Sequence, residues 1–340
     1  MLELDSKSLT LIKKACKGKK HIKLTIGFIA NDEKVIKVFN ETEEIENKNY
    51  IYEIGSITKT FNASLLAKYI YEGKMSLDDS IQKYIDGLNI SQHYPTLRRL
   101  ATHTSGYSQR LPLNRYEFFK MLWNIILGFN QEDIPFDMDF EKMKECILEN
   151  RLENKEYKWK YSNFGHALIG YALGVVSGKG YKDTMNEFLF KELGLTHTYS
   201  GTYSNKNLYG FNKRNKDCGN WDWGNNLMSP AGSLSSTADD LLNYAMVNML
   251  ETKPYLSICY QKYAKISKKY DMGLGWWLYK NDNNIICHGG DTGSFSSFLA
   301  VDRRNEIAVV VLGNYRFDGI SCSKIGDSIL ENLLKKTKCE

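Results

Sequence analysis

YEIGSITKTF, residues 52–61, is the stretch on which the reading of this chain turns. A strand-like run, Tyr50 to Ile54, meets an apolar segment of helical period in which Phe61, Leu65, Leu66, Tyr69 and Ile70 share one face and Gly73 supplies a stop. A helix is therefore predicted from Ser56, and a sharp strand-to-helix junction is a common way to present a nucleophile. An unassisted serine hydroxyl is a poor nucleophile near neutral pH and needs an adjacent base and donors for an oxyanion. Lys59, three residues on, falls on the same helix face as Ser56, and a lysine desolvated there gives up its proton more readily. The first-turn N–H groups favour nearby negative charge, and Gly55 would let a substrate approach closely. The Ser-x-x-Lys spacing recurs at Ser80/Lys83, in a polar turn, and at Ser321/Lys324, where the last helix opens. Both of those read as solvated surface.

Working outward, a helix is predicted near residues 6–18, followed by alternating Ile22, Leu24, Ile26 and Phe28 and a second run with Val35, Ile36, Val38 and Phe39. These two runs read as paired antiparallel strands. Between about residues 60 and 235 the periodic segments are mostly helical, as in Phe164 to Val176 before Gly178, and the aromatic-rich 107–150 region carries no clear pattern. Strand patterns return at Ile285–His288, Ser297–Val301 and Ile307–Leu312, the last an unbroken apolar run expected to be buried on both faces. A final helix carries Ile325, Ile329, Leu330, Leu333 and Leu334. The expected fold is α/β (α+β): a mixed, mainly antiparallel sheet flanked by terminal helices, from about 1–58 and 236–340, with a helical lobe inserted at about 59–235. The site should lie in the cleft between the two lobes.

Two more runs carry chemistry. Tyr161-Ser-Asn163 stands just before a helix, where an isolated tripeptide reads as a turn with Asn163 as helix cap; Tyr-x-Asn also occurs at Tyr203/Asn205 and Tyr279/Asn281. His288-Gly-Gly-Asp-Thr-Gly-Ser294 ends one strand and precedes another. It does not lead into a helix, so it is no phosphate loop. It reads either as a glycine-rich hairpin or as a strand edge on which a substrate lies against backbone.

The 340 residues, 42% hydrophobic and 25% charged, suit a globular protein with a sizeable core. The net charge of +5 is scattered and accompanies no nucleic-acid motif, so no nucleic acid is expected as partner. No window approaches the roughly 18 apolar residues of a membrane span, and the first residues lack a signal sequence, so a cytoplasmic location is expected. Seven dispersed cysteines argue against zinc and a disulfide framework, and Cys287 reads as a buried strand residue. The histidines 21, 93, 166 and 197 show no metal spacing, and no metal or cofactor is expected. Trp221, Trp223, Tyr107 and Phe295 are candidates for the cleft wall, against core packing as the alternative.

In chain order, YEIGSITKTF, GKMSLDDSIQKYI, LATHTSGY, YSNFGHALIGYALGVVSG, LFKELGLTHT, PAGSLSSTADDL, GLGWW and HGGDTGSFSSFLAVDRRNEIAVVVLGN resemble successive segments of the class C β-lactamase and penicillin-binding-protein superfamily, across about residues 22–315. The resemblance implies a β-lactamase/transpeptidase-like fold and a serine hydrolase that works through an acyl-enzyme on an amide or ester. The catalytic residues would be Ser56, Lys59 and Tyr161, with Tyr161 helping Lys59 manage the serine proton and protonating the leaving group. Asn163 would hydrogen-bond substrate and Lys59, and the N–H groups of Ser56 and Asp291 would form the oxyanion hole. His288, Gly289 and Gly290 stand where many relatives have Lys-Thr-Gly, and His103 lies in a marker usually read as structural. The partner implied is a small-molecule or short-peptide substrate. The alternative is a non-hydrolytic penicillin- or peptide-binding receptor of the same fold. An unperturbed histidine titrates near about 6.5, so His288 is expected to attract a substrate carboxylate only at lower pH.

Overall fold

Leu24, Ile26 and Phe28 point to one face of the first strand and pack with Ile12, Ala15 and Cys16 of the N-terminal helix, while Gly27 faces Leu242 on the other side. That period-two split is the rule of the whole sheet. The computed structural model describes residues 2–108, 113–127, 137–201, 208–316 and 320–337. From the N-terminus, α1 (Ser6–Cys16) leads into β1 (Leu24–Ala30), β2 (Glu33–Phe39) and the short β3 (Glu44–Ile45). The turn from β1 to β2 is Asn31-Asp32, both at positive φ, as a two-residue hairpin requires. Next, β4 (Tyr52–Glu53) passes through a 3-10 turn, Gly55–Ile57, into α2 (Thr58–Tyr71). The middle holds α3 (Leu97–Ala101), α4 (Arg115–Leu127), α5 (Phe140–Glu149), α6 (Asn163–Ser177) and α7 (Tyr181–Glu187). Short strands β5 (Tyr199–Ser200), β6 (Gly210–Phe211), β7 (Asp217–Gly219) and β8 (Leu234–Ser236) follow, then α8 (Ala238–Met249). A meander of β9 (Ala264–Lys265), β10 (Tyr270–Met272), β11 (Trp277–Tyr279), β12 (Ile285–Asp291), β13 (Ser296–Asp302) and β14 (Ile307–Gly313) ends in α9 (Cys322–Thr337).

The main sheet runs β3-β2-β1-β14-β13-β12-β11-β10-β9, so the two ends of the chain meet where β1 pairs with β14. Every ladder in it is antiparallel, which corrects the expected mixed character. β14 is buried along its whole length, because α9 covers one face and α8 the other. No helix among the described residues is long and apolar enough to cross a membrane. The six described cysteines are buried and unpaired, with the Cys287 thiol pushed up by burial; Cys339 lies outside the described residues.

Two local expectations need correction. The run before Ser56 does not join the main sheet: Tyr52 and Glu53 pair with Ser236 and Ser235 in a small sheet of order β4-β8-β5. Nor does α2 have a solvated face along its first three turns, because Thr58, Lys59, Thr60, Asn62 and Ser64 are as buried as Phe61 and Leu65. The polar side chains are satisfied internally. The Thr60 hydroxyl donates to Ile57 O at 2.8 Å, Ser64 Oγ donates to Thr60 O at 3.0 Å, and the Asn62 amide donates to His166 O at 3.1 Å. A period-3.6 pattern cannot distinguish a buried polar face from a wet one.

β12 loses its neighbour on one side partway along. Trp277 and Leu278 of β11 pair with Cys287 and Ile286, and from His288 to Asp291 only β13 is paired with it. The freed edge meets the turn Gly55–Ile57. A Cβ on Gly290 would lie 2.0 Å from Ile54 O and 2.8 Å from Ser56 N, whereas one on Gly289 would meet only Ser297 O at 3.6 Å. Gly290→Ala should therefore lower unfolding stability by about 1–3 kcal/mol, and Gly289→Ala should change it by no more than about 0.5 kcal/mol. Denaturant melts of both variants check this; equal losses would mean the close contact is not a constraint.

Candidate active site

Gly55, at φ +50°, turns the chain out of β4 and sets its Cα against the backbone of Asp291, where a Cβ would lie 2.8 Å from Asp291 N. The glycine therefore serves the approach of β12, not of a substrate. The Ser297 hydroxyl, reaching from β13, donates to Ile54 O at 2.8 Å and ties the turn to the sheet. Ser56 stands at the head of the helical segment, where backbone N–H groups lack intrahelical acceptors.

Two groups converge on the Ser56 hydroxyl. Lys59 Nζ lies 3.0 Å from Ser56 Oγ, and the Tyr161 hydroxyl donates to the same oxygen at 2.6 Å. Lys59 also donates to the carbonyl of Ala231 and lies 5.0 Å from the centre of the Tyr161 ring. Burial holds the Lys59 ammonium well below the usual lysine range, because charge is disfavoured where water cannot reach it. Burial likewise pushes the Tyr161 phenol up, the Ser56 hydrogen bond opposing this in part. A neutral amine and a protonated phenol can then share one hydroxyl: Tyr161 donates to Ser56, Ser56 donates to Lys59, and Lys59 donates to Ala231.

Tyr161 is held from behind. The backbone N–H of Ser162 donates to His103 Nδ1 at 3.1 Å, and the His103 ring packs 4.5 Å from that of Tyr161. His103 has φ +59° and is fully buried, which keeps the imidazole neutral. Ser162, not Asn163, caps α6, its hydroxyl accepting from Gly165 N at 3.1 Å. Asn163 is thereby left on the cleft wall, half-buried. The expected Asn163–Lys59 hydrogen bond is not formed among the described residues; the Ala231 carbonyl takes that donor instead.

The cleft around Ser56 has a volume of about 450 Å³. It brings together Ser56, Tyr161, Asn163, His288, Gly290 and Asp291, with buried Lys59 directly behind Ser56. The exposed Asp291 carboxylate accepts from the Ser296 hydroxyl at 2.6 Å. His288 corrects the expected charge switch. It is fully buried under Trp277, ring centres 4.8 Å apart, with Nδ1 2.7 Å from Gly289 O. Desolvation, with Lys59 nearby, lowers its pKa to about 3, so the imidazole is neutral throughout the physiological range.

Of the four aromatic candidates for the cleft wall, Trp221 and Trp223 line it, whereas Tyr107 and Phe295 are core. Trp159, Trp277 and Ala231 went unmarked in the sequence. Trp159 had one signal, since in extended chain residues two apart share a side and Tyr161 lies two residues on. Ser321 also corrects its surface reading, lining the cleft with Ser323, while Ser80 caps a short 3-10 turn and Lys83 pairs with Asp79. Tyr279 sits on β11, and Tyr203/Asn205 falls outside the described residues. Among the described residues no histidine bonds Ser56, and no three His, Cys, Asp or Glu side chains cluster as metal ligands.

Known proteins are similar to this chain in sequence and in fold. The chain is 22% identical over 285 residues to "Protein flp" of Staphylococcus aureus (strain N315), covering 77% of this chain and 52% of that protein. It thus spans about half the length of that curated relative. The octameric penicillin-binding protein homologue from Pyrococcus abyssi superimposes with a TM-score of 0.80 at 22% identity, covering 97% of this chain and 77% of that one. A β-lactamase/D-alanine carboxypeptidase from Pseudomonas syringae gives 0.77 at 18% identity, over 95% of this chain and 97% of that one. These likenesses establish the shared fold. The beta-lactamase family model matches residues 30–320, which take in the Ser56 turn, the Tyr161 segment and the β12 edge, and the chain belongs to the beta-lactamase family.

Proposed function

We propose that the protein is a serine hydrolase of the class C-related type that cleaves a small ester or amide, or a short peptide, through an acyl-enzyme on Ser56. The reading rests on one observation: the Ser56 hydroxyl is shared between Lys59 Nζ at 3.0 Å and the Tyr161 hydroxyl at 2.6 Å. Membership of the beta-lactamase family supports it.

Lys59, neutral through burial, accepts the Ser56 proton as Oγ bonds to the substrate carbonyl carbon. The carbonyl oxygen takes up negative charge against the N–H groups of Ser56 and Asp291. Tyr161 gives its proton to the departing amine or alcohol, and the proton on Lys59 restores the phenol. Water then attacks the acyl carbon, and its proton returns to Ser56 as that oxygen leaves. Asn163, without a protein partner among the described residues, is placed to hold the substrate.

Ser56→Ala should lower kcat by at least about three decades while leaving the melting temperature unchanged. Wild-type turnover in that variant on every active substrate would overturn the nucleophile and leave a receptor of the same fold.

The free amine of Lys59 is the form that accepts a proton, so kcat/KM for an uncharged ester should rise with pH along an acid limb lying below the ordinary lysine value of about 10.4. The raised Tyr161 keeps its proton on the alkaline side. Because His288 is neutral down to about 3, a matched carboxylated substrate should give a profile parallel to that of the ester. Divergence of the two profiles near about pH 6.5 would mean that His288 titrates in contact with substrate.

No glutamate lines the cleft among the described residues, and the one lining carboxylate, Asp291, is already engaged by Ser296. Penicillin should accordingly leave a single, persistent adduct in the intact mass of the protein. Rapid return to unmodified protein with hydrolysed penicillin would show an efficient deacylating base.

A further inference from the structure

Four of the six tryptophans in the chain, Trp159, Trp221, Trp223 and Trp277, line the cleft around Ser56. They come from three separate walls. Trp159 precedes Tyr161 on the helical side, with its ring 6.5 Å from that of Tyr161 and edge-on to His103. Trp221 and Trp223 come from the loop before β8 and meet edge to face at 5.7 Å. That loop is fixed at its start, where the backbone N–H of Trp221 donates to the carboxylate of Glu53, the last residue of β4, at 2.7 Å. Trp277, on β11, lies over His288 at the point where the β12 edge becomes free.

Each indole carries a large apolar face, and a cleft walled by several of them gains most from an aromatic guest, which removes apolar surface from water on more than one side. The charges on the same walls are few. Asp291 is engaged by Ser296, Lys59 is buried behind Ser56, and His288 is covered by Trp277. Arg316, after β14, is the lining arginine, with no ion pair among the described residues. The β12 edge, along which a substrate would lie, thus offers glycine backbone and an indole face, and its own histidine is covered.

Resting on the acyl-enzyme reading, we infer that the four-tryptophan cleft selects substrates that carry an aromatic ring next to the scissile ester or amide, with Trp221 and Trp223 on one side and Trp277 on the other as the specificity-determining residues. Trp223 is nine-tenths buried and leans on the backbone at Gly232, so it is the fixed wall of the seat.

The test uses thioesters, whose released thiol is followed directly: the S-ethyl thioester of acetic acid, the S-ethyl thioester of phenylacetic acid and the S-benzyl thioester of acetic acid. At least one aryl compound should exceed the first by about tenfold or more in kcat/KM, chiefly through KM. Trp277→Ala and Trp223→Ala should each remove most of that advantage, read as the ratio of aryl to S-ethyl thioacetate kcat/KM within the same variant. In parallel, Ser56→Ala protein is titrated with phenylacetamide and with acetamide, read by quenching of tryptophan fluorescence, and the aryl amide should bind at least about tenfold more tightly. Turnover without aryl preference, together with equal binding of the two amides, overturns the aromatic seat and leaves the acyl-enzyme standing. Aryl-selective binding with no turnover of any thioester by the wild type supports the seat and overturns the acyl-enzyme.

Discussion

The close passage of β12 over the turn before α2 is the contact on which the rest of the site depends. At Gly290 there is room for a hydrogen and nothing larger, since the space a Cβ would fill is taken by Ile54 O and Ser56 N. Gly55 is in the same position from the other side, its Cα against the backbone of Asp291. Two backbones packed at that distance fix the sheet relative to the helix that carries the nucleophile candidate. The Ser297 hydroxyl, donating to Ile54 O, adds direction to what packing alone would leave free to slide.

Once that contact is set, burial determines the electrostatics. Lys59 is enclosed, and its only described hydrogen-bond partners are neutral oxygens, those of Ser56 and Ala231. Without a partner carboxylate, the low-dielectric surroundings act on the ammonium unopposed and favour the free amine. His288 follows the same logic with a different result. Covered by Trp277 and hydrogen-bonded to Gly289 O, it contributes shape and polarity to the cleft wall but no charge. A buried lysine and a buried histidine at one cleft thus stay neutral for the same reason, and the cleft is less charged than its residue types suggest.

The order of elements was legible because it rests on local patterns. Strand alternation gave β1 and β2, the apolar run at Ile307–Leu312 gave the central strand, and the α6 segment before Gly178 was read to within a residue. Patterns of burial were less legible where polar side chains bond within the core. Helix α2 reads as amphipathic yet is buried nearly all round, because Thr60, Asn62 and Ser64 find acceptors inside the protein. The cap of α6 was misassigned by one residue for a related reason: Ser162 and Asn163 are both good cap residues, and only the backbone geometry selects between them.

By itself the sequence determined which residue types stand at the strand-to-helix turn, before α6 and along the glycine-rich β12, and hence that a serine, a lysine and a tyrosine were available for one reaction. It also determined the antiparallel pairing of the first two strands, through the spacing of their apolar residues and the Asn31-Asp32 turn. Only the tertiary structure decided that Tyr161, 105 residues away, donates to the Ser56 hydroxyl, that Ala231 and not Asn163 receives the Lys59 hydrogen bond, and that four tryptophans from three segments face one cleft. It alone decided the charge of His288. Proton affinity is set by how much water and which neighbours surround a group, and neither is a property of the sequence around it.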